Sequence, residues 1–490
     1  MPDPRDRYQN PLAERYASED MLRVFSDNHR YRTWRRLWIA LAESQAELGL
    51  DVREDQIAEM RAHVEDIDYE RVDEHERVLR HDVVAHIRAY AEVCPTAAPI
   101  IHLGATSCFV TDNADIVLIR GALEIVRSRL VRLLEGLRDF ALEHRSLPTL
   151  AYTHFQPAQL TTVGKRAALW AQDFLLDLEE IDHRLATLRF RGVKGTTGTQ
   201  ASFLRLFDGD SPKVEELDAL VTERMGFAER FRVTGQTYSR KQDESVLHAL
   251  SGIAQSAHKM TNDIRLLQRF GELEEPFGAK QVGSSAMPYK RNPMRCERIA
   301  SLAKHVICEA QNGAWIHGTQ WFERTLDDSA NRRLSIPQSF LGVDAILVLA
   351  VNVVEGMVVY PAVVRRTLDE ELEFMASENL MMLAVRAGGD RQVLHERIRD
   401  HAMAVTQARR SVARASMEGH ETSLLARLAA DPLFAAVRDR IDEVGDPAAY
   451  IGRSPEQVDA FFRDEVAPRI ARLPGTSGES TGGASWDVRV

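Results

Sequence analysis

Four stretches of this chain repeat apolar residues at alternating three- and four-residue steps. That spacing permits little besides long helices packed side by side. The first runs through Ile116, Ile119, Leu123, Val126, Leu130, Leu133, Leu137 and Phe140. The second uses Ala167, Ala171, Phe174, Leu178, Ile181, Leu185 and Leu188; the third uses Val246, Leu250, Ile253, Ala257, Met260, Ile264 and Leu267. The fourth is Ile336, Phe340, Val343, Leu347, Ala350, Val354 and Met357. Each seam keeps one narrow stripe against a neighbour at a small crossing angle, so four of them predict a bundle. The fourth is apolar off its stripe as well, at Leu341, Ile346, Val348, Leu349, Val351, Val353, Val358 and Val359. A helix apolar nearly all round needs cover on several sides, which predicts oligomerisation through the bundle.

The remaining segments arrange themselves around it. Residues 30–48 read as one helix ended by Gly49, and a second block over 78–93 stops before Pro95. Residues 100–111 are turn-rich and lead into a helix that Thr111 or Asp112 is placed to cap. Pro361 is read as closing the fourth seam. The predicted fold is all-α with three helical domains: 1–110, 111–362 carrying the bundle, and 363–473. Residues 474–490 form a Gly/Ser/Thr tract expected to be disordered.

Charge and cysteine usage remove several classes. A net charge of −11 opposes general nucleic-acid binding. The opening Met-Pro-Asp-Pro-Arg lacks the order of a signal peptide, and the most apolar run, 345–354, is too short to span a bilayer. Cys94, Cys108, Cys296 and Cys308 form no Cys-x-x-Cys pair, so neither a disulfide framework nor a zinc site is suggested. The expectation is a reduced, soluble, cytoplasmic protein.

Residues 281–294, Gln-Val-Gly-Ser-Ser-Ala-Met-Pro-Tyr-Lys-Arg-Asn-Pro-Met, show no periodicity and read as a loop. Gly283 and the serines loosen it, while Pro288 and Pro293 restrict where it bends. Hydroxyls and cations on a mobile loop suit an anionic substrate enclosed before reaction. Gly-Ser-Ser-Ala-Met-Pro-Tyr-Lys-Arg-Asn-Pro resembles the signature loop of the fumarase/aspartase superfamily, whose members eliminate fumarate from a succinyl-bearing substrate. The resemblance makes Ser284 the catalytic base and aligns Lys290 and Asn292 with positions that hold substrate carboxylates. Many relatives have His where Tyr289 stands.

Such an elimination needs a base for a carbon acid, fixed donors for the dianionic intermediate, and an acid for the departing nitrogen. Serine is a poor base unless Lys290 and nearby backbone amides stabilise its alkoxide. Tyr-Thr-His-Phe-Gln-Pro-Ala-Gln over 152–159 resembles the superfamily's Thr-x-x-Gln-Pro-Ala-Gln motif, with His154 at the acid position of adenylosuccinate lyases. The segment Arg80-His81-Asp82, alone a solvated charge cluster, is similar to a substrate-contacting segment of those lyases, and His81 is placed with the catalytic groups. Thr106 and Ser107 match the loop whose hydroxyls bind a carboxylate. Arg324, Ser329, Arg332 and Arg333 put guanidinium forks and a hydroxyl where a phosphate can bind, and they resemble the nucleotide-phosphate segment of adenylosuccinate lyases. Arg15, Tyr16, Gln236 and Arg298 match further substrate positions, with Tyr16 suited to stack on a purine and Gln236 to hydrogen-bond it.

Gly192-Val-Lys-Gly-Thr-Thr-Gly198 has the composition of a phosphate cradle. It follows a helix rather than a strand and lacks Gly-Lys-Ser/Thr spacing, so it reads as a helix-terminating loop. The resemblance covers residues 8–471, is nearest to the animal-type branch, and implies a homotetramer whose sites collect residues from three subunits. It also implies a nucleotide substrate and neither metal nor organic cofactor. Argininosuccinate lyase, or a catalytically silent helical scaffold, are the alternative readings. The first would not need the arginines at 324–333, and intact Ser284, His154 and Lys290 weigh against the second.

Overall fold

A computed structural model describes residues 4–411 and 422–473; the tract at 474–490 lies outside the described residues. The four seams form four long helices: Ser107–Glu143, Val163–Thr187, Lys241–Phe270 and Asp327–Gly356. They are called here the first to fourth bundle helices. A shorter helix, Met294–Glu309, packs on the third and fourth. The seam residues make one continuous core, with Leu123, Phe174, Leu250, Ile253, Phe340 and Val343 wholly buried. At about 25 cal/mol per Å² of apolar surface, burial on this scale dominates the fold's stability.

The first, third and fourth bundle helices begin at the same end of the molecule. Arg240, just before the third, pairs with Asp112 in the first and Asp328 in the fourth. At the far end, Arg132 of the first helix meets Glu355 of the fourth. The chain runs back through the second helix, which Thr162 caps by accepting from the Lys165 amide.

Several boundaries differ from the sequence reading. The first bundle helix starts at Ser107, after Thr106, so Thr111 and Asp112 lie inside it. The fourth ends at Gly356, and Pro361 opens the next helix, Pro361–Arg386, at a first-turn position where a missing N–H costs nothing. Residues 78–93 are broken at Arg80, whose left-handed backbone (φ +52°) closes Tyr69–Leu79 before Asp82–Val93 begins. Among the described residues the architecture is mostly helical, with two small antiparallel pairs: Pro148–Thr153 with Gln156–Thr162, and Leu273–Glu274 with Val358–Val359.

The fourth bundle helix is covered by its own chain, through the first and third bundle helices and the helices at 294–309 and 311–318. Its all-round apolarity therefore does not by itself demand a second copy. Apart from Leu334 near its start, large apolar groups left to solvent lie elsewhere, among them Leu169 and Leu176 on the second helix, and Val233, Trp321, Phe322 and Leu326 around the end where Ser107 and Asp327 start. A separate apolar core joins Leu380, Leu394, Leu428, Phe434 and Ile441. Val458 and Phe462, further on, return to the main core.

One polar side chain inside the bundle lacks a cation. Asp177 of the second helix faces Gly252 and Ser256 of the third, and its Oδ2 is buried with no hydrogen-bond partner among the described residues. Burial pushes its carboxyl up to about 7; the Ser256 hydroxyl opposes this and Asp173 adds to it. The folded chain thus keeps a proton, between about pH 4 and 7, that the unfolded chain has released. Stability contributed here falls as pH rises through that window. Asp177→Asn is expected to gain about 1–2 kcal/mol over the parent at pH 8 and almost nothing at pH 4. Melting temperatures at the two pH values check this, and a gain equal at both would contradict it.

Candidate active site

At the end where Ser107 and Asp327 begin, the left-handed turn at Arg80 throws His81 out of the preceding helix. His81 Nδ1 accepts from the Val84 amide at 3.4 Å, which leaves Nε2 facing Ser107 Oγ at 3.5 Å. Asp82 accepts from Arg333 Nη2 at 2.9 Å. Thr106 precedes the first bundle helix without spending its hydroxyl on a cap, and Ser329 sits in the first turn of the fourth. Two helix N-termini here offer unsatisfied N–H groups, which favour anions. Gln236 belongs to the same end: its amide donates to the Glu323 carbonyl at 2.9 Å, its carbonyl accepts from Arg191 Nε at 2.8 Å, and its Oε1 lies 3.7 Å from Cys108 Sγ. Arg324 Nη1 meets Asp328 at 3.2 Å.

Arg332 does not join this group. Its guanidinium is buried, with Nε on Asp243 at 2.8 Å, Nη1 on Asp115 at 3.0 Å and Nη2 on the Tyr238 hydroxyl at 2.8 Å. Adjacent helix positions point about 100° apart, so only Arg333 of the pair faces outward. His102 is a residue the sequence reading passed over. Its backbone is left-handed (φ +68°), and its Nδ1 accepts from Trp38 Nε1 at 2.8 Å, which leaves the ring's proton on Nε2. Burial, and then the neighbouring His81, hold its pKa down to about 4, so it is neutral near pH 7. A histidine with positive φ is the structural signal; nothing in its sequence neighbourhood announces it.

The opposite end carries the loop. Ser284 Oγ accepts from the Met287 amide at 3.1 Å and the Ala286 amide at 3.3 Å, the donors an alkoxide there needs. Lys290 makes no side-chain hydrogen bond or ion pair among the described residues, so the structure does not bring its ammonium onto Ser284. Asn292 Nδ2 donates to the Gly283 carbonyl at 2.8 Å and ties the loop's two arms together. Gly283 must be glycine, since a Cβ there would lie 2.1 Å from the Lys290 carbonyl oxygen. Beside the loop, Arg298 lies over the Tyr16 ring at 5.2 Å and Arg15 lies 6.0 Å from it.

His154 also belongs to this end. It forms, with Phe155, the two-residue turn of the first strand pair, both with positive φ (+53° and +57°). Such turns favour Asn-Gly, so holding His-Phe there stores strain of the kind found at functional sites. Tyr152 and Phe155 pack on Phe270, the last residue of the third bundle helix, and Gln268 of that helix donates to the Arg291 carbonyl. The third helix has 30 residues, and at 1.5 Å per residue it is about 45 Å long. Within one chain, Arg80, His81, Asp82, Thr106, Ser107, Gln236, Arg324, Ser329 and Arg333 gather at one end. Arg15, Tyr16, His154, Ser284, Lys290, Asn292 and Arg298 gather at the other.

Gly192–Gly198 is not a phosphate cradle. Lys194 is buried against Asp218, and a Cβ at Gly192 would lie 2.1 Å from Asp218 Oδ1.

A family model described as Lyase matches residues 8–308, and one described as Adenylosuccinate lyase C-terminus matches 373–461. The chain is 50% identical to the adenylosuccinate lyase of Saccharomyces cerevisiae over 95% of its length and 96% of the relative's. For that of Schistosoma mansoni the figures are 46%, 96% and 97%. The chain belongs to the adenylosuccinate lyase family. Identity to the adenylosuccinate lyase of Pyrococcus abyssi is 32%, over 92% of this chain and 96% of that one, which puts the sequence with the eukaryotic type. The fold is shared more widely. A fumarate lyase from Mesorhizobium aligns with TM-score 0.80 at 21% identity, covering 94% of this chain and all of that one. A 3-carboxy-cis,cis-muconate lactonizing enzyme from Pseudomonas putida gives 0.78 at 23%, covering 92% and 98%. Adenylosuccinate lyase is an activity of purine biosynthesis, and an adenylosuccinate lyase must meet both a succinyl group and a nucleotide phosphate.

Proposed function

We propose that this chain cleaves adenylosuccinate to AMP and fumarate, and succinylaminoimidazole carboxamide ribotide to its carboxamide and fumarate. Ser284 Oγ, as an alkoxide held by the Met287 and Ala286 amides, takes the proton from the carbon beside a succinyl carboxylate. The electron pair left behind is delocalised into that carboxylate, and Thr106, Ser107, Lys290 and Asn292 hold the resulting charge. That pair then forms the carbon–carbon double bond as the carbon–nitrogen bond breaks, and His154 gives its proton to the departing nitrogen. His81 and Asp82, with Arg80, orient the substrate. Arg324, Ser329 and Arg333 bind the phosphate, Gln236 the base, and Tyr16 stacks on it with Arg15 and Arg298 beside it.

The observation that carries this reading is the Ser284 hydroxyl already accepting two backbone amides. The separation of the candidate groups supports a second element: one site is assembled from several copies, in a homotetramer whose sites draw on three subunits. The exposed apolar groups on the second bundle helix suit such contacts. The domain division at 110 and 362 belongs to the same proposal; the separate core from Ala376 onward supports the second boundary, while residues before 110 share the main core. Location in the cytoplasm fits the reduced cysteines.

The test is the ultraviolet absorbance change when the purified protein meets adenylosuccinate, with AMP and fumarate identified chromatographically. Turnover without added metal is expected. A folded oligomer that turns over argininosuccinate and not adenylosuccinate would overturn the assignment.

A further inference from the structure

Behind Arg324 lies a buried run of alternating charges. Asp328, four residues on in the fourth bundle helix, places both oxygens near Arg324 Nη1, at 3.2 and 3.4 Å. Its Oδ2 also accepts from Arg240 Nε at 2.7 Å. Arg240 is 1% exposed and turns its two terminal nitrogens onto Asp112, each at 3.1 Å. Asp112 Oδ2 further accepts the Tyr238 amide, and the Arg240 amide donates to Gln320. A second branch, Arg332 with Asp243 and Asp115, and Arg30 with Asp115, completes the charge balance. Asp328 is therefore held by Arg240 at the start of the third bundle helix, which Asp112 of the first fixes in turn.

Arg324 is where this run reaches the surface: its side chain is 24% exposed, against 5% for Asp328. Only Nη1 is engaged by Asp328. The edge formed by Nε and Nη2 has no hydrogen-bond partner among the described residues, and its two donors are spaced for a bidentate oxyanion.

The geometry points to Asp328 as the positioning residue for Arg324, with Arg240 fixing Asp328, so that the open guanidinium edge is aimed at the substrate's phosphate. The inference rests on the phosphate role proposed above for Arg324 and deepens it. A long flexible side chain held beforehand loses less freedom on binding. A supporting side chain that sets a contact's direction is commonly worth about tenfold or more in activity.

The full-length enzyme, Arg324→Gln, Asp328→Asn and the double variant are compared on adenylosuccinate and on its 5′-dephosphorylated nucleoside. The readout is the ratio of kcat/KM for nucleotide over nucleoside. Arg324→Gln is expected to lower that ratio by about 100-fold. Asp328→Asn should lower it by about tenfold, through the KM of the nucleotide, with the nucleoside unaffected. In the Arg324→Gln background it should change the ratio no further, because its effect passes through Arg324. If Arg324→Gln leaves the ratio intact, the phosphate assignment fails and the inference with it. If Arg324→Gln lowers the ratio while Asp328→Asn leaves it intact, or slows both substrates equally, the positioning role alone is refuted. Should Asp328→Asn not fold, Asp328→Glu keeps the buried charge but displaces it. The same fall is expected there, and an unchanged ratio refutes the role.

Discussion

Ser284→Ala is expected to lower kcat by about 10³-fold or more while leaving the melting temperature and the oligomer unchanged. The carbon acid beside a carboxylate is reluctant, and Ser284 Oγ is a loop hydroxyl already collecting two backbone donors. Removing it leaves two amide N–H groups on an exposed loop, where water replaces the lost acceptor at little cost. Stability should therefore hold while chemistry stops. The measurement is single-turnover decay of adenylosuccinate absorbance, beside calorimetric binding of AMP. Binding within a few-fold of the parent and a lost chemical step are the expected pair. A kcat within tenfold of the parent would remove Ser284 from the base position.

The second large effect concerns mixtures. His81→Gln disables the end of the bundle where Ser107 starts, and Ser284→Ala disables the other. Each variant alone is expected to be nearly inactive. The two ends stand one bundle helix apart, about 45 Å, which no single nucleotide bridges, so in the proposed shared site one substrate meets His81 from one copy and Ser284 from another. When the two inactive variants are unfolded together and reassembled at random, about one quarter of sites receive both intact contributions. Activity should return to about that fraction of the parent. Verified mixed oligomers that stay inactive would show that a site is not shared between copies in this way.

The long helices were legible because a seam is a statement about many residues at once; one misplaced side chain does not erase it. The fold's exceptions were hidden for local reasons. The hairpin at 148–162 lacks the Asn-Gly that normally marks so tight a turn, and its His-Phe tip looks like the approach to a helix. Thr111 and Asp112 have the chemistry of caps, yet the helix starts four residues before Thr111, at Ser107, with no side-chain cap to mark it. Pro361 looks alike as the end of one helix or the first turn of the next. The site residues were legible as motifs, yet a motif carries no address: Arg332 and Arg333 are neighbours in sequence, and one is interior while the other meets Asp82. Nor does any motif say which end of a bundle it occupies, and His102 shows itself only through its backbone and its bond from Trp38.

The fourth bundle helix, buried by its own chain, bears on the order of events in making this enzyme. Because its greasiest element is largely covered within one chain, that helix leaves little of its core to be completed by association. Folding and assembly are then separable steps. The first depends on the chain alone, and the second on how many chains are present. With the site shared between copies as proposed, abundance itself becomes a switch: below some concentration the cell would hold well-folded protomers that catalyse nothing.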